Sequence, residues 1–522
     1  MREVSASLSK AFNGYFFGVL FSRVFGMLRD VSLAFFFGTS KEIALFMIAY
    51  RFSNLMRRML AEGPLSSSFI PLYQKIEKND KNQGLIFFRD LSAFTLLILP
   101  FFLFFLHLIL SFSFKSIDLK EDNHQIVSLT LKMLPSLYFI TLYGLFSAFL
   151  QANRSFFLPA LAPIAFNLVW ILGGCFIYIT SPLAPLETLS YFVVIAFLVQ
   201  WLFIAPKTYS TLRKTLSLKE ILSFRPFSSY LKQIISPFFL GILGVGTTQI
   251  NAALDALFAK AADPSGPAYL WYAIRIEQVP VALFAVAMST AALPTLSKAI
   301  QNKENVEGVI QEGVEKVYPL MSFSMFGLIS CGLVCLKMIF ARGAFDSFSL
   351  FQTYKCLVGY SLGLIPHGLA LFYTSCFYAI EEFKIPVRSS LYAILIHIAL
   401  NLVLVFLFKL GAVSIALSTT FSSIFQAAFL FSTLKKTYPS LSLPSCPFLK
   451  QIGIGLIALI LSFWGVYSLF YQPLLMGMEI GFISTFTSCA LSGTLFVGSY
   501  VALELFLKDA RVFSFLKLKF FK

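Results

Sequence analysis

The chain has 522 residues, of which 58% are hydrophobic and only 13% charged, and its mean hydropathy is +0.80. Soluble domains are about a quarter charged, so this composition excludes a water-soluble globular protein and makes lipid the solvent for most of the surface. The net charge of +16 does not indicate a nucleic-acid binder, because the basic residues are split among many short loops.

Residues 1–11 are short and polar and lead into an apolar run with no small-residue cleavage site, so the first span is expected to be retained. Apolar stretches long enough to cross the roughly 30 Å hydrocarbon core then follow near 12–37, 42–70, 88–112, 127–150, 157–180, 186–206, 233–259, 267–295, 315–338, 350–380, 386–408, 411–433, 449–471 and 480–507. They are too long and continuous for barrel strands, so the fold class predicted is an all-α polytopic membrane protein of about 14 transmembrane helices. Loops on the side of the N-terminus hold 26 basic residues and those on the other side 7, which predicts both termini in the cytoplasm.

The longest cytoplasmic loop, 207–232, carries Lys207, Arg213, Lys214, Lys219, Arg225 and Lys232 against Glu220. Its pattern predicts a basic amphipathic helix on the anionic leaflet. The loop also separates two similar halves. Ser66, Pro71 and Lys75 recur as Ser289, Pro294 and Lys298 at an offset of 223, and Ala152 to Pro159 recurs as Ala379 to Pro386 at 227. The expectation is two six-helix lobes with pseudo-twofold symmetry plus two C-terminal helices. Residues 1–206 form an N-lobe, 207–232 a linker and 233–434 a C-lobe; 435–522 hold the last two spans and a basic tail. Transporters built from such repeats place their substrate site between the lobes.

The seven cysteines lie mostly within apolar segments without a CxxC, and the four histidines are scattered. Neither a disulfide framework nor a metal site is expected, and no cofactor. Eight basic residues fall inside spans: Arg23, Arg29, Arg51, Arg57, Arg58, Lys132, Arg275 and Lys355. An arginine at mid-bilayer costs about 2.5–3.5 kcal/mol on insertion scales, so such residues face a wet cavity or a partner. Lys132 and Lys355 lie near helix ends and can snorkel, as can Arg51. Arg58 and Glu62 are one turn apart and can pair, and Asp30 can neutralise an arginine of the first span. Basic residues still outnumber Asp30, Glu42 and Glu62 in the first two spans. Their guanidinium forks suit a diphosphate.

Ser22-Arg23-Val24-Phe25-Gly26-Met27-Leu28-Arg29-Asp30 resembles the SRhhGhhRD opening of MurJ/MviN proteins, where h is any apolar residue. Asn54-Leu55-Met56-Arg57-Arg58-Met59-Leu60-Ala61-Glu62-Gly63 resembles their NLLRRLFAEG segment, continued by Phe69-Ile70-Pro71. Tyr272-Ala273-Ile274-Arg275 with Gln278 and Pro280 resembles YADRhhQhP. The pattern departs at Ala44, where the family usually has Asp, with Glu42 close by, and at Ile274, which stands where Asp precedes the arginine. The family is a branch of the multidrug/oligosaccharidyl-lipid/polysaccharide exporter superfamily.

The resemblance implies a flippase that carries undecaprenyl-diphosphate-linked peptidoglycan precursor, lipid II, across the bacterial inner membrane. It implies Arg23, Arg29, Arg57 and Arg275 as head-group ligands and Arg58, Glu62, Gln278 and Asp30 as secondary cavity residues. It also implies a lipid-tail groove at the last two spans. Some members carry a sodium site with acids on spans 7 and 11; here Asp255 and Asn401 stand at those places. Membrane potential or a cation gradient is the expected energy source. The expected partners are lipid II, membrane lipids and the cell-wall synthesis machinery. The readings weighed against it are another exporter of the superfamily, an O-antigen-type flippase or a multidrug antiporter, and a membrane glycosyltransferase. A glycosyltransferase needs a catalytic acid or an aspartate-rich loop at the membrane surface, and the acids here are few.

Overall fold

The computed structural model describes residues 2–58, 63–115, 120–223, 225, 229–302, 305–441, 445–466, 482–507 and 512, and all of its regular structure there is helical. The chain divides into two compact units, Met1–Leu257 and Phe258–Lys522.

In the first unit α1 (Arg2–Phe37) is followed by α2 (Lys41–Arg57) and α3 (Gly63–Asn79), which together make the second span. Next come α4 (Lys81–Lys115), the pair α5 (Glu121–Met133) and α6 (Ser136–Ala152), α7 (Phe157–Thr180) and α8 (Pro185–Arg213). A single turn, α9 (Leu218–Leu222), precedes α10 (Ser229–Ala262), which begins in the first unit and ends in the second. The first unit thus reaches past residue 206, because Leu231, Ile234 and Phe238 of α10 pack on its core.

The second unit holds α11 (Gly266–Pro280), a π-helical segment at Val281–Val286, and α12 (Ala287–Gln301). These are followed by α13 (Val306–Phe340), α14 (Ser347–Ser361), α15 (Leu364–Ala379), α16 (Lys384–Leu402), a second π-helical segment at Val403–Leu407, and α17 (Val413–Thr437). The last two, α18 (Ser445–Val466) and α19 (Phe482–Phe506), pack on each other and on α13.

Among the described residues eight helices are long and apolar enough to cross a membrane, and two bent pairs, α5–α6 and α14–α15, make ten. The four other expected spans correspond to α1, α2 with α3, α10 and α18. The first two of these carry the internal arginines, which lower their apolarity.

The two units repeat one plan. In the first, α2 packs on α5, α3 on α4 and α6, α4 on α6, and α8 on α5, α6 and α7. In the second, α11 packs on α14, α12 on α13 and α15, α13 on α15, and α17 on α14, α15 and α16. Each of these pairings in one unit has its counterpart in the other, whereas the packing of α1 on α7 has none of like extent among the described residues. The bends match as well, 45° between α5 and α6 and 44° between α14 and α15.

The turns repeat at atomic detail. α6 ends with Arg154 at φ 58° and α15 with Glu381 at φ 62°. Ser155 N–H donates to Leu150 C=O at 2.8 Å and Glu382 N–H to Phe377 C=O at 3.0 Å. Both are Schellman closures, which satisfy carbonyls left open at a helix end. A non-glycine residue in the left-handed region costs about 1–2 kcal/mol, so the same departure at the same register points to a shared ancestor. Ser181 and Lys409, at φ 44° and 53°, mark a second matched pair.

Packing holds each unit together, because lipid tails are as apolar as the side chains and burial alone gives little drive between helices. In the first unit Phe69, Tyr73, Phe87, Phe88 and Phe149 form a fully buried aromatic cluster, with Phe88 and Phe149 stacked at 3.9 Å. Small residues let helices approach: a Cβ on Gly174 would stand 2.7 Å from the Phe36 ring, and one on Gly313 2.1 Å from that of Phe372. The outer faces are inverted relative to a soluble protein. Phe101, Phe102, Phe104, Phe105 and Ile109 of α4 are all more than half exposed, as a lipid-facing surface requires.

The linker does not form one amphipathic helix. α8 continues to Arg213, and α9 has only five residues. Ser217 and Glu220 close a capping box around its first turn, with Glu220 accepting from Ser217 N–H at 2.7 Å. The neighbouring backbone is taken by α4. Arg89 Nη1 donates to Glu220 C=O at 2.6 Å, and Asp90 Oδ1 accepts from Arg225 N–H at 2.9 Å. These groups are then not available to a continuous helix.

Candidate functional site

Arg23 and Arg29 lie six residues apart on α1 and meet different surroundings. Arg29 is buried, and its Nε and Nη2 donate to Asp30 Oδ1 at 3.2 and 2.9 Å. Its Nη1 donates to Asn167 Oδ1 of α7 at 3.2 Å, and its guanidinium lies 4.9 Å from the centre of the Trp170 ring. Trp170 in turn meets Tyr50 of α2 edge-on at 4.7 Å. Arg29 is therefore the hub of a closed cluster that joins α1, α2 and α7. Arg23 is exposed and has no hydrogen-bond or ion-pair partner among the described residues.

In α2, half-buried Arg57 donates from Nε to Asn54 Oδ1 at 2.7 Å, which fixes the stem of the side chain. Arg58 is exposed, and Glu62 lies outside the described residues, so the expected pair of the two does too. Arg51 donates to Ala252 C=O of α10 at 3.3 Å. Ala44, the departure from the motif, is fully buried, while Glu42 is exposed.

In the second unit half-buried Arg275 lies 4.5 Å from the centre of the Trp271 ring, one turn away on α11, a cation–π arrangement. Gln278 is exposed on the same helix, and Ile274 is half-buried. The expected cation residues fall in different units. Asp255 is half-buried on α10. Asn401 is buried on α16, its Nδ2 3.4 Å from His397 Nε2, which is also 3.4 Å from Thr419 Oγ1 of α17. Among the described residues no group of three or more His, Cys, Asp or Glu is placed to hold a metal.

Several polar features went unnoticed in the sequence. Arg89 and Asp90 form a second buried pair at 2.7 Å, and the signal was present: the Arg-Asp dipeptide of α1 recurs at the start of α4. Glu277 on α11 is 7% exposed and has no partner among the described residues. Lys41 pairs with Asp122 at 2.7 Å and Lys132 with Glu187 at 2.5 Å, tying α2 to α5 and α5 to α8. In the linker the Ser217 backbone N–H, helped by its hydroxyl, holds the Glu220 carboxyl below its ordinary range.

The sequence pattern of the family described as Lipid II flippase MurJ matches residues 33–486. A probable lipid II flippase MurJ of Chlamydia trachomatis is 28% identical over 442 residues, covering 84% of this chain and 81% of that protein. One from Aquifex aeolicus is 26% identical over 488 residues, covering 90% and 94%. Among solved structures, a lipid II flippase MurJ in an inward closed conformation superposes with a TM-score of 0.72 at 24% identity, covering 94% of this chain and 99% of that one. An inward-facing MATE family multidrug transporter of the MOP superfamily gives 0.62 at 16% identity, covering 80% and 95%. These two structural likenesses speak to the fold. The match over 33–486, which spans most of both units and takes in Arg57 and Arg275, shows that the chain belongs to the lipid II flippase MurJ family.

Proposed function

We propose that this chain moves lipid II from the inner to the outer leaflet of the bacterial cytoplasmic membrane by alternating access, as a transporter and not an enzyme. The observation that carries the reading is the family match over 33–486, together with arginines kept inside helices of both units. Arg23, Arg57 and Arg275 are the proposed ligands of the diphosphate and its sugar-peptide head, with Arg58 and Gln278 in a secondary role. Arg29, closed onto Asp30 and Asn167, holds α1 in register with α7 and positions Arg23.

Both termini are proposed to be cytoplasmic, and the cell-wall synthesis machinery is the proposed protein partner. Membrane potential or a cation gradient supplies the energy in this reading. The test is complementation of a bacterium depleted of its own flippase. Restored growth with restored lipid II translocation is the expected result. Lipid II accumulating in the inner leaflet despite normal levels of the protein would sink the reading.

A further inference from the structure

We infer that Glu277 is a proton-binding site whose occupancy sets the conformation of α11. The inference rests on the flippase reading only for what the proton drives. Glu277 lies on the face of α11 that also carries Leu270, Ala273 and Pro280, all buried. Arg275 is two residues away, and residues at that spacing do not face each other on a helix. Arg275 is therefore not its counter-ion, and no ion pair or hydrogen bond from any other described residue reaches the carboxylate.

The elements packed against this region offer few charges. α14 brings Tyr354, Cys356, Tyr360 and an exposed Lys355; α13 carries Tyr318 and Lys337 within its apolar length. α15, against the π-helical segment, brings His367. None of them pairs with Glu277.

A carboxylate at such a place has little solvent and no partner among the described residues to offset its desolvation, so it takes up a cation or exposes itself further. A metal cation needs several converging ligands, and no such cluster exists among the described residues. A proton needs one oxygen. Taking it up turns the carboxylate into a neutral carboxylic acid that fits the closed packing. Releasing it leaves a charge that the closed packing disfavours, so the unprotonated protein shifts toward an arrangement in which this face of α11 is wetted. The adjoining segment is suited to that change. Val281–Val286 is π-helical, starts four residues after Glu277, and joins α11, with Arg275, to α12. Such segments break the regular ladder and concentrate at functional sites.

The test uses the full-length protein in lipid nanodiscs and in proteoliposomes. Infrared difference spectra between acid and neutral pH should show a carboxylic-acid C=O band that shifts in heavy water, is lost in Glu277→Gln and moves in Glu277→Asp. In proteoliposomes an imposed proton gradient should change the lipid II flipping rate of the unaltered protein and leave that of Glu277→Gln unchanged. No band assignable to Glu277, a gradient response that persists in Glu277→Gln, or a response to sodium instead of protons would each overturn the inference. If the band titrates as expected while the unaltered protein moves no lipid II, the flippase reading fails and the proton site stands.

Discussion

Arg23 and Arg29 occupy one helix, about 1.7 turns apart, and both bear a charge in a lipid-facing protein. One is buried and saturated by Asp30, Asn167 and Trp170; the other is exposed and bears its charge alone among the described residues. The penalty for inserting an arginine is the same on paper for both. What separates them is the company they keep. An internal charge can therefore build the protein or serve its ligand, and sequence alone does not distinguish the two. Arg89 repeats the Arg29 solution at the start of α4, with the same fork onto the adjacent aspartate.

The largest effect expected is on the closed pair. Removing one partner of a buried ion pair typically destabilises by about 3–5 kcal/mol. Asp30→Ala should therefore deplete the folded protein from the membrane, and Arg29→Ala should do nearly the same, as read by thermal unfolding in detergent and by membrane levels. Normal levels of both variants would remove the distinction drawn between Arg29 and Arg23. The three proposed head-group ligands should behave in the opposite way. Arg23→Ala, Arg57→Ala and Arg275→Ala should insert normally, yet each should lose about 1.5–3 kcal/mol of head-group binding, roughly ten- to a hundredfold, as expected for one charged hydrogen bond. Arg57→Lys should recover only part of it, since an ammonium lacks the fork. Binding and flipping measured at matched protein levels decide the matter.

A smaller effect is expected at Asp90. Asp90→Asn keeps an acceptor for Arg225 N–H but removes the charge that Arg89 grips. Loss of that support should leave residues 214–225 open to limited proteolysis while the rest of the chain resists. Equal cleavage in both proteins would show that the linker is held by other means. The smallest effect is at Glu220. Its carboxyl is held below its usual 4.5, so the capping box contributes above that value and is lost as pH falls through the lower, folded one. Amide exchange of the turn Ser217–Leu222 should quicken only in that acid window, and Glu220→Gln should remove the pH dependence.

The helix order and the repeat were legible because both are local properties. Long apolar runs specify spans, and Ala152 to Pro159 carries its turn signal within eight residues. Where a guanidinium points was not legible, since Arg29 is satisfied by Asn167, 138 positions away. The linker misled for a related reason. Its basic amphipathic pattern suits a helix taken by itself, but Arg89 and Asp90, more than a hundred residues earlier, claim the backbone of that segment. Glu277 was not legible either, since the isolation of a single acid appears only once the helices around it are in place.

The grip of Asp90 on the amide of Arg225 also bears on the birth of the protein. A ribosome delivers α4 to the membrane well before it delivers residue 225, so this hydrogen bond cannot close until α8 has been made and inserted. All of its other partners are by then in hand, and nothing from the second unit is required. The first six spans can thus be fastened to the linker before α10 arrives, and Leu231, Ile234 and Phe238 of α10 then complete the core of the first unit.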